Sequence, residues 1–338
     1  MTLFRTSPIA LFLLLSSISS IAGQASAKDA FGLDRYKTPV EVITKPDMPY
    51  RTRFGRPINV YSITAPTLNS DDKNPPHRFL VQGGLHGNEL LGSEFVSWLA
   101  QRFVKGESLL NTLNSGNIAI DFVPYANPDG TIQFTRGNGN KINLNRNFSV
   151  LWGLTKENPG PAAFSEPETR AIRDLFAKQN YTGAIDVHGY INWVVIPTAP
   201  EDGLSGLPKI DAKKIADYRR WALAIKNEAA AKLPGYEVKS AGSLGDGGSF
   251  EDFAWWGAGV PAACLEIFSS DRFVAKSMAA KLVDILTPRA FGRVAANFDS
   301  TDMFLVYENY IHSLFIESIR IKSGDDTVRQ MAATAPPF

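Results

Sequence analysis

His86 and Glu89 lie three residues apart, directly after a short apolar run and two glycines. The run from Phe79 to Gln82 predicts a buried strand, and the glycines predict the turn that ends it. Zn²⁺ binds histidine nitrogen and carboxylate oxygen, and a catalytic zinc site uses three protein ligands and keeps one position for water. The pair therefore predicts two ligands of a zinc site; a polar loop with an incidental histidine is the alternative.

The third ligand must come from elsewhere in the chain, which has four histidines. His188 is the natural choice because it ends the predicted strand at residues 183–188, as His86 follows another strand. A histidine with a purely structural role is the alternative there. The other two, His77 and His312, have no comparable context, and we predict structural or surface roles for them.

Predicted strands alternate with predicted helices along the chain. This pattern predicts an α/β fold: a single domain with a central mixed, mainly parallel sheet flanked by helices. Ligands of such sheets bind beyond the carboxyl ends of the strands, so we expect His86, His188 and the polar loop 136–147 to converge. Ser165 and Glu168 predict a capping box. The predicted strands are 58–64, 79–82, 118–123, 183–188 and 261–267, and the predicted helices are 89–104, 165–178, 210–233, 272–286 and 304–319.

Composition excludes several classes of function. The 338 residues are 44% hydrophobic and 20% charged, which is typical of a folded globular protein. The formal charge of +1 argues against a nucleic-acid or membrane-surface binder, since either needs a basic excess to meet phosphates. The one cysteine, Cys264, excludes an intramolecular disulfide, and its apolar surroundings predict a buried, inert thiol.

The first residues have the features of an export signal. Arg5 precedes an apolar run at residues 9–21, and Ala25-Ser26-Ala27 matches the small-x-small pattern of a cleavage site. We predict a signal peptide at 1–27 and an exported protein, periplasmic or secreted. An uncleaved membrane anchor is the weaker alternative, because the run is short and broken by serines. No stable membrane insertion is expected after cleavage of the signal. Residues 28–321 are predicted to form the catalytic domain, and 322–338 a disordered tail.

Seven segments together resemble the zinc metallocarboxypeptidases, the family of carboxypeptidase A. They occur in the family's order and spacing, and any one of them would be a weak signal. The resemblance implies the carboxypeptidase fold and hydrolysis of a C-terminal peptide bond. The segments are Gly84-Leu85-His86-Gly87-Asn88-Glu89, Asn127-Pro128-Asp129-Gly130, Arg136, Leu144-Asn145-Arg146-Asn147-Phe148, Ser165-Glu166-Pro167-Glu168-Thr169, Asp186-Val187-His188-Gly189-Tyr190 and Leu265-Glu266.

The resemblance also implies the roles of the catalytic residues. His86, Glu89 and His188 would bind one Zn²⁺ per chain, and Glu266 would be the general base. Zinc lowers the pKa of its bound water, and a nearby carboxylate can then take the proton and pass it to the leaving nitrogen. Glu266 lies in an otherwise apolar run, where an unpaired buried charge is costly, so a partner such as this water is expected.

Further residues are implied to bind the substrate, a peptide or muropeptide with a free C-terminal carboxylate. Arg136 resembles the cation that stabilises the developing oxyanion. Asn145 and Arg146 resemble the pair that grips the terminal carboxylate, which planar guanidinium donors meet in bidentate fashion. Tyr190, which follows His188 in its motif, is assigned to substrate binding.

Two positions depart from the family pattern. Asn143 stands where many relatives have the Asp that orients a zinc histidine, so a neutral amide here is expected to weaken the basicity of that ligand. The digestive members carry a tyrosine in a mobile loop before the catalytic glutamate. Residues 241–248 occupy that stretch here and contain none, and the nearest tyrosine, Tyr236, lies out of place.

The segment 248–253 falls where the family's side-chain pocket loop lies, and either Glu251 or Asp252 could form the pocket floor. An acidic floor would favour a terminal Lys, Arg or diaminopimelate. Alternatively, both acids begin a helix and favour its positive end. The same stretch also resembles bacterial murein-peptide amidases of this superfamily, which adds cell-wall peptides as a substrate class.

Two competing functions are considered. Zinc amidohydrolases of the aspartoacylase and succinylglutamate desuccinylase type share a His-Gly-Asn-Glu start and deacylate N-acyl amino acids. The segments at 127–130 and 144–148 favour the exopeptidase over them. A degenerate binding module is disfavoured because both histidines, Glu89, Arg136 and Glu266 are all present.

Overall fold

The computed structural model describes residues 42–44, 50–65, 76–202, 210–267 and 301–324. Eight strands are found there: β1 Val42–Thr44, β2 Tyr61–Thr64, β3 His77–Gly83, β4 Ile118–Val123, β5 Tyr181–Gly189, β6 Trp193–Ile196, β7 Glu237–Ser240 and β8 Ala262–Ile267. The helices are α1 Leu90–Lys105, α2 Pro128–Gln133, α3 Pro167–Lys178, α4 Ala212–Lys232, α5 Ala241–Leu244, α6 Phe250–Asp252 and α7 Thr301–Ser323. A π-helical turn, Phe253–Gly257, continues α6, and 3₁₀ turns lie at Leu109–Gly116, Leu144–Arg146 and Pro200–Asp202.

The described strands form one mixed sheet in the order β1-β2-β4-β3-β5-β8-β6-β7. The four central strands, β4, β3, β5 and β8, are parallel to one another. Antiparallel pairs flank them, β2 with β4 on one side and β6 with β8 on the other. The prediction of a mixed, mainly parallel sheet is confirmed. Segments that follow the central strands therefore meet at one edge of the sheet.

Alternation along β3 shows how the sheet is held between two cores. Phe79 belongs to the core that also contains Phe95 of α1 and Phe315 of α7, and its ring stacks on Phe315 at a centroid distance of 4.1 Å. Leu80, the next residue, points to the opposite face and joins the core built on α3 and the α6 region. Both faces of the central strands are thus covered, as parallel sheets require.

Some local predictions were wrong. The strands β1, β6 and β7, of three or four residues each, were not predicted. The capping box is absent, since Glu166 is the N-cap of α3 and makes no side-chain cap hydrogen bond. Ser165 instead donates to Glu166, and Glu168 accepts from Asn138 at 3.1 Å. The side chains of Ser165 and Glu168 thus bond to other polar side chains and do not cap the helix.

Several predictions fall outside the described residues: the signal peptide at 1–27, the helix at 272–286 and residues 325–338 of the tail. Lys322 and Ser323, predicted to begin a disordered tail, belong to α7 instead. In the portions of the chain that are described, no helix combines the length and apolar character needed to cross a bilayer.

Candidate active site

His86, Glu89 and His188 come together at the carboxyl edge of the central strands, and we call them the zinc-ligand cluster after the role that the sequence predicts for them. His86 and Glu89 follow β3, and His188 lies near the end of β5. Gly87 makes the tight loop possible, because a Cβ there would lie 2.0 Å from the carbonyl carbon of Gly130 in α2. The loop is therefore pressed against α2, which fixes the positions of the residues on either side of Gly87.

The donor atoms of this cluster face one another. The Nδ1 atoms of His86 and His188 lie 2.9 Å and 2.8 Å from the two carboxylate oxygens of Glu89, and 3.0 Å from each other. All three side chains are buried, and one donor from each lies within 4.8 Å of the others. Two imidazole nitrogens and one carboxylate form a donor set that suits catalytic zinc.

The outer nitrogen of each imidazole is held by an oxygen. His86 Nε2 lies 3.0 Å from Asn143 Oδ1, and His188 Nε2 lies 2.7 Å from Asp186 Oδ2. Because these oxygens can accept, they favour a proton on each Nε2, which leaves Nδ1 as the nitrogen that would bind a metal.

Asn143, where the sequence departs from the family pattern that it resembles, has an amide with two partners. While its oxygen faces His86, its nitrogen donates to the carboxylate of Glu157. The negative charge that an Asp would place directly against His86 is thus on Glu157, which lies behind the Asn143 amide. An Asp could not make the second contact, since it has no donor when ionised.

Electrostatics keep Glu89 ionised. Although burial opposes ionisation, the two histidines hold the pKa of the Glu89 carboxyl well below its usual range. Burial lowers the pKa of His86. For His188 burial acts in the same direction, but Asp186 and Glu89 outweigh it and raise the pKa. The ionised carboxylate is the form of Glu89 that can bind a metal.

Glu266 lies beside the zinc-ligand cluster, because β8 pairs it with His188 on β5. Its Oε2 atom is buried and has no hydrogen-bond partner among the described residues. Burial raises the pKa of its carboxyl to about 8, while His188 and Arg136 act to lower it. The hydroxyl of Tyr236, which looked misplaced in the sequence, donates to the main-chain oxygen of Glu266 at 3.0 Å.

Arg136 reaches the zinc-ligand cluster from the polar loop that follows α2. Its Nη1 donates to Glu89 Oε1 at 3.0 Å and lies 3.1 Å from His86 Nδ1. Its Nε and Nη2 donate to the two oxygens of Glu157, at 3.1 Å and 3.3 Å. The side chain is 42% exposed, so the guanidinium borders both the cluster and solvent.

Asn145 and Arg146 are buried in the 3₁₀ turn that follows. The side-chain oxygen of Asn145 accepts from the Phe250 amide at 2.8 Å. The side-chain nitrogen of Asn145 is then the group that can donate to a ligand. Arg146 Nη1 donates to the Asn145 carbonyl at 2.7 Å. Its Nη2 donates to Glu157 at 3.1 Å and also to Asp246.

We call Asn145, Arg146, Glu157 and Asp246 the carboxylate-binding cluster. Its two acids, Glu157 and Asp246, were not predicted from the sequence. Glu157 stands in a polar connection between Trp152 and Ser165, and Asp246 lies in a glycine-rich loop. No motif marks either residue; the presence of two buried or half-buried arginines that need counter-ions was the only available signal.

The two candidate pocket acids differ in their partners. Both oxygens of Asp252 are bonded to Thr198, one to its amide at 2.6 Å and one to its hydroxyl at 2.7 Å. Glu251 Oε2 is buried without a partner among the described residues. Burial raises the pKa of Glu251 to about 8 and that of Asp252 to about 7. Both do stand at the start of a helix, α6, with Ser249 as its N-cap.

The remaining predicted residues lie around these groups. The hydroxyl of Tyr190 donates to the Asn88 carbonyl at 2.7 Å and accepts from the Leu90 amide at 3.1 Å, so it holds the backbone on both sides of Glu89. Cys264 is buried and burial raises the pKa of its thiol, as an inert thiol requires.

His77 and His312 lie away from the zinc-ligand cluster. The imidazole of His77 contacts the hydroxyl of Thr182, and that of His312 contacts the hydroxyl of Thr112. These contacts agree with the structural or surface roles expected for both histidines.

Comparison with known proteins gives one consistent result. A sequence profile described as zinc carboxypeptidase matches residues 49–272. Carboxypeptidase B of Helicoverpa zea is 29% identical over 241 residues, which cover 61% of this chain and 53% of that protein. The chain spans about half or less of the length of the curated relatives it matches. These matches do not favour the deacylase alternative.

Solved structures show the same fold. The carboxypeptidase A of Helicoverpa armigera aligns with a TM-score of 0.54 at 19% identity, covering 98% of this chain and 83% of that one. A metallo-carboxypeptidase from Burkholderia cenocepacia aligns with a TM-score of 0.53 at 16% identity, covering 86% and 68%. At these identities the likeness concerns the fold.

Proposed function

Because the chain belongs to the zinc carboxypeptidase family, we propose that it is a zinc-dependent exopeptidase that hydrolyses the C-terminal peptide bond of exported peptides or cell-wall peptides. One observation carries the proposal. Donor atoms of His86, Glu89 and His188 lie within 4.8 Å of one another, and Glu266, whose Oε2 has no hydrogen-bond partner among the described residues, lies on the adjacent strand β8. We propose that the cluster holds one Zn²⁺ per chain, which would polarise the scissile carbonyl and acidify a water.

Glu266 is proposed as the general base. A base needs a carboxylate that is close to the attacking water and is not committed to another donor. Glu266 Oε2 meets the second condition among the described residues. Its register opposite His188 supports the first. The proton that Glu266 accepts is then available for the leaving amide nitrogen.

Arg136 is proposed to stabilise the negative charge that develops on the carbonyl oxygen. Its guanidinium lies against Glu89 yet borders solvent, so a substrate entering from that side would meet it. Preorganised cationic donors of this kind stabilise oxyanions strongly, because they need little reorganisation during the reaction.

Asn145 and Arg146 are proposed to bind the terminal carboxylate, which would make the enzyme an exopeptidase. Arg146 is almost fully buried and already donates to the carboxylates of Glu157 and Asp246, which supports a role as a carboxylate-binding cation. A peptide with an amidated end offers no charge to this guanidinium, so its binding should be much weaker.

Glu251 is a better candidate than Asp252 for the floor of the side-chain pocket, because Asp252 is already bonded twice to Thr198. A buried carboxylate oxygen without a donor is costly unless a cation reaches it. The Oδ1 atom of Asp186, whose charge acts on Glu251, is also buried without a described partner. We therefore propose a terminal side chain with an ammonium or guanidinium group, that is Lys, Arg or diaminopimelate.

Mass-spectrometric product analysis of the zinc-loaded protein tests this function. The panel contains peptides ending in Lys, Arg, Glu or an aliphatic residue, the same peptides with amidated ends, and muropeptides ending in diaminopimelate. We expect release of a single terminal residue from peptides with free carboxylates, fastest where that residue is basic. Equal cleavage of the amidated set would contradict the exopeptidase proposal.

A further inference from the structure

The side chain of Glu157 lies across both guanidinium groups that the site offers to a substrate. Its Oε2 accepts from Arg136 Nε at 3.1 Å, and its Oε1 accepts from Arg146 Nη2 at 3.1 Å and from Arg136 Nη2 at 3.3 Å. A carboxylate of the protein thus occupies donors that a terminal carboxylate would use.

The backbone around Glu157 keeps it in this place. The Asn158 carbonyl accepts from the Asn143 amide at 2.9 Å, and the Glu157 amide donates to the Thr155 hydroxyl at 3.1 Å. The carboxylate also accepts from the side-chain nitrogen of Asn143. The Glu157 side chain is nevertheless 38% exposed, so it can leave toward solvent without crossing protein.

The charges of this region already balance before any substrate binds. Arg136 and Arg146 contribute two positive charges, and Glu157 and Asp246 contribute two negative ones; Glu89, which also pairs with Arg136, is counted with the two histidines and the proposed Zn²⁺. A terminal carboxylate that joined all four would leave a net negative charge near a buried guanidinium, which is unfavourable. One of the two acids must therefore give way, or the substrate must bind weakly.

Glu157 is the acid that can give way. It is more exposed than Asp246, at 38% against 25%, and it contacts both arginines, whereas Asp246 contacts Arg146. Its departure would free the Nε/Nη2 edge of Arg136 and one N–H of Arg146 Nη2 at the same time, while Nη2 still donates to Asp246. No such double release follows from movement of Asp246.

We propose that Glu157 is a specificity-determining residue that occupies the place of the terminal carboxylate in the free enzyme and is displaced from Arg146 and Arg136 when substrate binds. This inference rests on the proposed exopeptidase function. Glu157 weakens the binding of every carboxylate end by a common factor. A substrate must then gain affinity elsewhere, for example through a basic side chain near Glu251.

The variant Glu157→Gln tests this role, with Glu201→Gln as the matched control, since Glu201 pairs with Arg219 at the surface. Michaelis kinetics use benzoyl-glycyl-lysine on zinc-loaded protein. Calorimetry compares N-acetyl-lysine with N-acetyl-lysinamide as ligands. Removal of one competing charge should lower KM roughly tenfold with kcat within about twofold, and raise the affinity for the acid alone by a similar factor. The control variant should match the wild type.

An unchanged or higher KM for Glu157→Gln would overturn the proposal, as would a fall in kcat alone, which would make Glu157 a positioning residue. If the Gln variant does not fold, Glu157→Asp decides, since its shorter side chain keeps the charge and should lower KM by a smaller factor. Failure of the exopeptidase function gives a different result: the wild type would then bind or cleave amide and acid ends equally well.

Discussion

The zinc-ligand cluster and the carboxylate-binding cluster lie side by side but are built differently. The residues of the first adjoin the carboxyl ends of central parallel strands, and all are buried. Those of the second come from connections and meet across long sequence separations, as Arg146 and Asp246 do 100 residues apart. The sheet topology thus fixes the groups proposed for the chemistry, while the loops fix those proposed for the substrate.

The two clusters also differ in how they balance charge. In the first, one carboxylate, Glu89, faces two imidazoles, and the proposed Zn²⁺ would add two positive charges there. In the second, two arginines are already paired with two acids, and Arg136 and Arg146 hold the pKa of Glu157 at about 2 against the effect of its partial burial. The first cluster is proposed to gain a metal ion, whereas the charges of the second are already paired and Glu157 is proposed to be displaced.

The largest expected effect is the loss of metal in His188→Ala, with His77→Ala as control. Removing one of three protein ligands should release zinc and lower hydrolysis about a thousandfold or more. Elemental analysis of the purified variants measures the occupancy. Full zinc content in His188→Ala would exclude His188 as a ligand and contradict the assignment of metal binding to the zinc-ligand cluster.

A smaller effect is expected for Glu251→Gln, which changes the proposed pocket and leaves the zinc-ligand cluster intact. The kcat/KM for peptides ending in Lys should fall about 10- to 100-fold, while that for aliphatic ends changes little, because a buried ion pair is lost only with the basic residue. Exposed Glu237→Gln serves as the control. An equal fall in kcat/KM for peptides with basic and with aliphatic ends would contradict the proposal that Glu251 forms the pocket floor.

The smallest expected effect is that of Glu251→Gln on the free energy of unfolding. The pKa of Glu251 is about 8 in the folded protein, above its ordinary value of 4.5. The folded state then binds more protons than the unfolded state between about pH 5 and pH 8, so the free energy of unfolding falls as pH rises through this window. Denaturant titrations should show a shallower fall in Glu251→Gln, by on the order of a few kcal/mol at pH 8. An identical slope in both proteins would contradict the assigned pKa shift.

Periodicity and strand ends were sufficient to predict the central sheet and the convergence of the two histidines with Glu89. A strand such as β4 was predicted with its observed ends, because five of its six residues are apolar. The carboxylate-binding cluster could not be predicted in the same way. Glu157 and Asp246 are recognisable only once Arg146 is seen to be buried between them, and burial of that kind depends on the tertiary structure.

Asn143 shows the same limit at a single residue. Its neutral side chain suggested a weaker hold on the zinc histidine than the usual Asp provides. In the folded protein its amide nitrogen donates to Glu157, so a carboxylate stands behind the amide that orients His86. The compensating residue lies 14 positions away in a loop without a motif.

Hydrolysis by zinc-loaded Glu266→Gln tests the central claim most directly. The amide keeps the shape of the side chain but cannot take a proton from water, so the base is removed while the zinc-ligand cluster stays whole. We predict one zinc per chain by elemental analysis and turnover of benzoyl-glycyl-lysine reduced about a thousandfold or more. Turnover at the wild-type rate by the metal-replete variant would contradict the role of Glu266 and the mechanism built on it.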